Sequence, residues 1–113
     1  MLLFTDPNCY PCTAMFPEIR RWQKEHAEEL TISLVSEGTV EENRAKSGEH
    51  GLRGVLLQQD WEVSEAYKIE ATPSAVLIRP DGTIGSPVHE GEDEISALLA
   101  HAVGEASRLP THQ

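Results

Sequence analysis

Two cysteines with only two residues between them, Cys9-Tyr10-Pro11-Cys12, lie at the junction of an apolar run, Met1 to Phe4, and a long amphipathic segment. They are the only 2 cysteines among 113 residues, and their placement limits the chain more than any other feature. Thiols held this close can share a metal, close a small ring or exchange with other thiols. A disulfide across two residues closes too small a loop to restrict the unfolded chain much, which leaves little for it to do as a staple. A structural zinc site needs four ligands. There is no second cysteine pair, and His26, His50, His89, His101 and His112 contain no pair at zinc-finger spacing. No metal or cofactor is therefore expected, and a C-x-x-C between a strand and a helix reads as a redox motif.

The strand and helix follow from the flanking pattern. Residues 2–5 read as a short buried strand, and Asp6-Pro7-Asn8 as a turn. Helical periodicity runs from about residue 9 to residue 29, carried by Phe16, Ile19, Trp22 and Leu30, with Pro17 expected to kink it. A second strand is expected over 31–36. Thr39 and Glu42 form a capping-box pattern that opens a helix over 40–50. A short strand at 55–57 and a helix over 61–67, capped by Asp60, come next. Strand 74–79, the turn Pro80-Asp81-Gly82 and a return strand over 83–88 form a hairpin. The last helix shows apolar positions Ile95, Leu98, Leu99, Ala102 and Val103, with Gly104 as its cap and residues 105–113 as a flexible tail. Strands joined by a long helix run parallel, whereas the hairpin is antiparallel. The expected architecture is α/β: a mixed four- to five-stranded sheet with helices on both faces, in one domain over residues 1–104.

Net charge is −10, which argues against a nucleic-acid partner, because phosphate backbones select basic surfaces. No apolar stretch approaches the roughly 20 residues of a membrane span. Met1 to Phe4 is too short for a signal peptide and lacks a basic lead. An opening directly in a core-like strand suits a domain excised from a longer exported or anchored protein, with an extracytoplasmic or periplasmic site; otherwise the cytoplasm is expected. A monomer is expected.

At the N-terminus of a helix, free N–H groups and the positive end of the dipole favour an anion. Cys9 is thus the candidate attacking thiolate and Cys12, one turn further in, the shielded resolving thiol. Pro11 stiffens the loop and removes an N–H. Tyr10, between the cysteines, is expected to be exposed and to touch a partner.

The whole pattern resembles the thioredoxin fold, most closely the TlpA-like and redoxin-type thiol–disulfide oxidoreductases. The residues that carry the resemblance are the strand leading to Cys9-Tyr10-Pro11-Cys12, Pro17, the block Asp60-x-x-Val63-x-x-Ala66-Tyr67-x-Ile69-x-x-Thr72-Pro73, the Pro80-Asp81-Gly82 turn and Gly91. The segment 38–58 resembles the helical insertion of the TlpA-like branch. The resemblance implies a cis-proline at Pro73 beside the cysteines, with the backbone of Thr72 offered to an extended substrate segment. It places Asn8, Tyr10, Pro11 and Gly91 around that groove. It also implies a protein disulfide or dithiol as substrate and a separate reductase or oxidase as redox partner. Where the family carries a buried acid, a lysine and a glutamate, this chain has Leu3, Leu34 and Met15, so the usual proton acceptor for Cys12 is missing. Two other functions stay open on the same fold. One is a peroxiredoxin-like peroxidase, although Asp6 stands where that group needs threonine or serine. The other is a non-enzymatic redox switch or interaction module.

Overall fold

A computed structural model describes residues 1–6, 8–52, 55–58 and 62–108. The elements are β1 (Leu2–Thr5), α1 (Tyr10–Glu25), β2 (Ser33–Ser36), α2 (Val40–His50), β3 (Val55–Leu57), α3 (Glu62–Ala66), β4 (Ser74–Val76), β5 (His89–Glu90) and α4 (Glu92–Arg108). The strands form one sheet in the order β3-β2-β1-β4-β5. β1 is parallel to β2, and β2 to β3; β4 is antiparallel to both β1 and β5. The mixed sheet expected from the sequence is present, with five strands.

Side-chain alternation along β1 assigns the two layers. Leu3 packs with Met15, Phe16, Ile19 and Trp22 of α1 and with Ile95, Leu98 and Leu99 of α4. Phe4 faces the other way, into a cluster with Val35, Val76 and the α3-side residues Val63, Tyr67 and Ile69. The helical stripe at Phe16, Ile19 and Trp22 is thus core, and Trp22 packs rather than binds. β1 is central, bonded on both edges, so the loop that leaves it starts from a fixed point.

Several boundaries differ from the sequence reading. α1 ends at Glu25, not near residue 29: the His26 N–H still reaches the Trp22 carbonyl, after which residues 27–29 turn. β2 begins at Ser33. Pro17 lies inside the helix, as the sequence places it. β4 stops at Val76, and its hairpin partner is His89–Glu90 rather than residues 83–88. The turn itself forms, with the Arg79 N–H donating to the Thr83 carbonyl at 2.8 Å, but only the Ile78–Ile84 bridge follows it. The Ser86 hydroxyl then accepts the Leu77 N–H at 3.0 Å, and Pro87 has no N–H to give, so the ladder breaks and resumes past it. α4 continues through Gly104 to Arg108, because glycine permits a helix end without requiring one. Asp60 and Trp61 fall outside the described residues, as do Pro7 and residues 109–113 of the expected tail.

The capping box at α2 forms as expected: Thr39 N–H donates to Glu42 Oε1 at 3.0 Å, and Glu42 N–H to Thr39 Oγ1 at 3.1 Å. α3 has a cap that sequence reading missed. Gln58 is buried, and its Oε1 accepts the N–H groups of Val63 at 3.0 Å and Ser64 at 2.9 Å. Its Nε2 donates to Ser64 Oγ at 2.7 Å. Replacing Gln58 by leucine keeps the bulk but strands those buried donors, so unfolding stability should fall by about 2 kcal/mol in urea titrations. A Gln58→Leu protein as stable as the parent would show that the cap carries no weight.

Candidate active site

β1 delivers the chain to Asp6, whose carboxylate accepts the Asn8 N–H at 2.8 Å and whose carbonyl accepts the Cys9 N–H at 3.0 Å. This local turn sets Cys9 at the N-cap of α1 in extended backbone, φ −95° and ψ 115°. In place of the hydroxyl of a usual capping residue, the Cys9 sulfur accepts the Cys12 N–H at 3.4 Å. On its other side the Cys9 thiol donates to the Thr72 carbonyl at 3.6 Å. Helix start, sulfur and Thr72 therefore meet at one point, although 63 positions separate Cys9 from Thr72.

The Thr72-Pro73 bond is cis. The Pro73 carbonyl accepts the Gly91 N–H at 3.0 Å, and Gly91 has φ +86°, a conformation that favours glycine. The Gly91 carbonyl in turn accepts the Ile95 N–H as α4 begins. Thr72, Pro73 and Gly91 thus form one bonded rim that ends in a helix. Tyr10 is 82% exposed beside the cysteines, and Pro11 occupies the first turn of α1, where its missing N–H costs nothing. A shallow cavity of about 360 Å³ leads from Thr72 along Ala71, Glu70 and Ile69 to Ser64 and Glu65.

The two thiols are free and sit in unlike surroundings. Cys9 is half-buried, whereas Cys12 is fully buried in the same apolar cluster as Leu3, Met15 and Leu34. The positions where the sequence lacked an acid, a lysine and a glutamate are therefore closed with hydrocarbon. Burial is the main cause that pushes the Cys12 thiol up to about 12, with the Cys9 sulfur adding to the shift. Hydrogen bonding from the Thr72 side chain and the Asp6 backbone pulls the other way and does not overcome it. Cys12 holds its proton at neutral pH.

Two further contacts were not legible beforehand. Asn8 Nδ2 donates to Glu42 Oε2 at 2.8 Å, which ties the insertion helix α2 to the residue preceding Cys9. That bond, with those from Thr39, keeps the exposed Glu42 carboxyl below its ordinary range. The Thr39–Glu42 spacing announced the cap, but nothing local announced a partner 34 positions away. His89, next to Glu90 and Gly91, places Nδ1 3.2 Å from the Glu94 carboxylate, so it belongs to the β5–α4 corner. Among the described residues no group of three or more metal-ligating side chains converges, and no helix is long and apolar enough to cross a membrane.

The chain matches the thioredoxin-like domain family over residues 1–102. It is 34% identical over 84 residues to the methylamine utilization protein MauD of Methylophilus methylotrophus, an alignment covering 74% of this chain and 39% of that protein. MauD of Methylobacillus flagellatus is 32% identical over 123 aligned positions, covering 96% of this chain and 59% of that protein. The chain thus spans less than two thirds of the length of these relatives. Among solved structures, a putative thiol:disulfide interchange protein DsbE from Chlorobium tepidum superposes with a TM-score of 0.75 at 17% identity, covering 93% of this chain and 77% of that one. A secreted Mycobacterium tuberculosis disulfide oxidoreductase, homologous to E. coli DsbE, gives 0.66 at 22% identity over 88% and 78% of the two chains. These superpositions bear out the expected thioredoxin fold.

The unlike thiols make a pH prediction. Between its ordinary value of 9.0 and about 12, Cys12 stays protonated when folded and ionises when unfolded. The folded chain then binds more protons, so stability of the reduced protein falls as pH rises through that window. Denaturant midpoints of the reduced protein should drop as pH rises from about 9 toward about 12, and a Cys12→Ala protein should lose that component of the slope. Equal slopes in the two proteins would contradict the burial effect.

Proposed function

Because the chain belongs to the thioredoxin-like domain family, we propose that it catalyses thiol–disulfide exchange with protein substrates, using Cys9 as nucleophile and Cys12 as resolving thiol. The observation that carries the reading is the Cys9 sulfur, which caps α1 through the Cys12 N–H and touches the Thr72 carbonyl. A helix N-terminus favours the thiolate, and the thiolate is the attacking form.

In the reductive direction the Cys9 thiolate attacks one sulfur of a substrate disulfide. The substrate S–S bond breaks, a Cys9–substrate mixed disulfide forms, and one substrate thiolate leaves. Cys12 then attacks the Cys9 sulfur, the mixed disulfide breaks, and the Cys9–Cys12 disulfide forms. The proton of Cys12 passes to the departing substrate sulfur. Two electrons have moved from the Cys9–Cys12 dithiol to the substrate disulfide, and the reverse sequence oxidises a substrate dithiol. A redox partner, a reductase or an oxidase, resets the pair.

The substrate segment lies extended against Thr72 and Pro73 and pairs with the Thr72 backbone, as an added strand would. Tyr10, Pro11 and Gly91 border it. The exposed Tyr10 ring gives an amphipathic contact of the kind enriched at protein interfaces. The apolar cluster around Cys12 keeps the second thiol protonated and waiting until a mixed disulfide lies within reach.

Reduction of insulin disulfides by the protein with dithiothreitol as electron donor tests the reading. Cys9→Ser should abolish turnover. Cys12→Ser should stall after the first step and accumulate a covalent mixed disulfide, visible as the summed mass on a non-reducing gel and by mass spectrometry. Turnover that survives Cys9→Ser, or a mixed disulfide on Cys12 in the parent protein, would overturn the assignment of roles.

A further inference from the structure

Resting on the exchange reading, we propose that the Thr5 hydroxyl is a further hydrogen-bond donor, added to the Asp6 backbone and the Thr72 side chain, that stabilises the Cys12 sulfur as it becomes anionic in the resolving step, in place of a charged acceptor.

Thr5 is the last residue of β1, fully buried, and its backbone is held in the sheet opposite Ser36. Its carbonyl accepts the Glu37 N–H at 3.2 Å, so the strand end is fixed. The side chain is another matter. Thr5 Oγ1 is sealed from solvent and has no hydrogen-bond partner. Among the described residues the only other buried side-chain atom without a hydrogen bond is His89 Nδ1, and that atom has the Glu94 carboxylate 3.2 Å away. A stranded hydroxyl costs on the order of 1–3 kcal/mol, which a valine of the same shape would avoid.

The direction of Thr5 follows from alternation along β1. Leu3 packs against Cys12, Met15 and Ile19, and Phe4 packs on the opposite face with Val35 and Val76. Thr5, two residues after Leu3, faces the α1 side. Its neighbour Asp6 reaches the Cys12 sulfur through a backbone hydrogen bond. The hydroxyl therefore lies in the layer that holds Cys12, at the end of the strand leading into the active-site turn.

Chemistry supplies the need. In the resolving step the Cys12–H bond breaks, the Cys9–substrate S–S bond breaks and the Cys9–Cys12 bond forms. The Cys12 proton ends on the substrate thiol, so no outside base is required. Negative charge nevertheless builds on a sulfur walled in by Leu3, Met15 and Leu34. A hydrogen bond to the charged form is what lowers that cost, and Thr5 holds a donor with no other use. In the resting thiol that bond is not made; it forms when Cys12 takes on charge.

The test uses a symmetric aromatic disulfide whose released thiolate is coloured, mixed rapidly with the reduced protein. The first equivalent of colour reports attack by Cys9, the second reports resolution by Cys12. Thr5→Val should leave the first release unchanged and slow the second about tenfold, and Thr5→Ser should restore it to within about twofold. A second release at the parent rate in Thr5→Val, or equal slowing of both releases, overturns the proposal. Should Thr5→Val fail to fold, Thr5→Ala against Thr5→Ser carries the same contrast, and equal behaviour of those two overturns it. If the parent protein gives no first release, the exchange reading itself fails and this inference falls with it.

Discussion

One contact holds the site together: the backbone N–H of Cys12 donating to the sulfur of Cys9. It exists because Cys9 stands at the N-cap of a helix whose next turns are locked into the core by Met15, Phe16, Ile19 and Trp22. The donor cannot drift while that stripe is packed. Its other anchor lies far along the chain, where the Thr72 carbonyl meets the same sulfur and Gly91 ties Pro73 to the start of α4. The sulfur is held between a helix start and a strand start that share one core. The contact depends on packing remote from the cysteines, since a shift of α1 or α4 moves one side of it without the other.

The same packing makes the two thiols unlike. A pair of cysteines one turn apart would be near-equivalent on an isolated helix. The sheet removes the equivalence by covering Cys12 with Leu3, Leu34 and Met15 and leaving Cys9 at the edge. Hydrocarbon disfavours charge on the inner sulfur. The difference in exposure thus follows from topology: the residue at the mouth of the central strand is half-buried and caps the helix, and the residue one turn in is buried.

Much of this was legible in the sequence, for identifiable reasons. The stripe at Phe16, Ile19 and Trp22 and that at Ile95, Leu98 and Leu99 are long enough for periodicity to decide, and both helices are core-facing as read. The Thr39–Glu42 box is local chemistry at fixed spacing and formed as written. Errors cluster where a long-range partner decides. The return strand was placed at residues 83–88 because its residues favour strands, but Ser86 and Pro87 break the ladder and pairing resumes at His89. The first turn of α3 is capped by the buried Gln58, a residue whose composition gives no hint of the role. Likewise Asn8 and Glu42, or Cys9 and Thr72, meet only because the fold brings them together.

Thr5 shows why an unsatisfied group is more telling than a satisfied one. In sequence it is a β-branched residue in a strand, which propensity explains completely. The same position filled by valine would pack as well and leave no donor stranded in the core. On the proposal made above, the hydroxyl's partner arrives during the reaction as the Cys12 sulfur, whose charge changes in the proposed cycle. A carboxylate in its place would hold charge at all times beside the pair and oppose the thiolate it serves. A hydroxyl is neutral at rest and donates when charge appears, which suits a site whose surroundings are otherwise hydrocarbon.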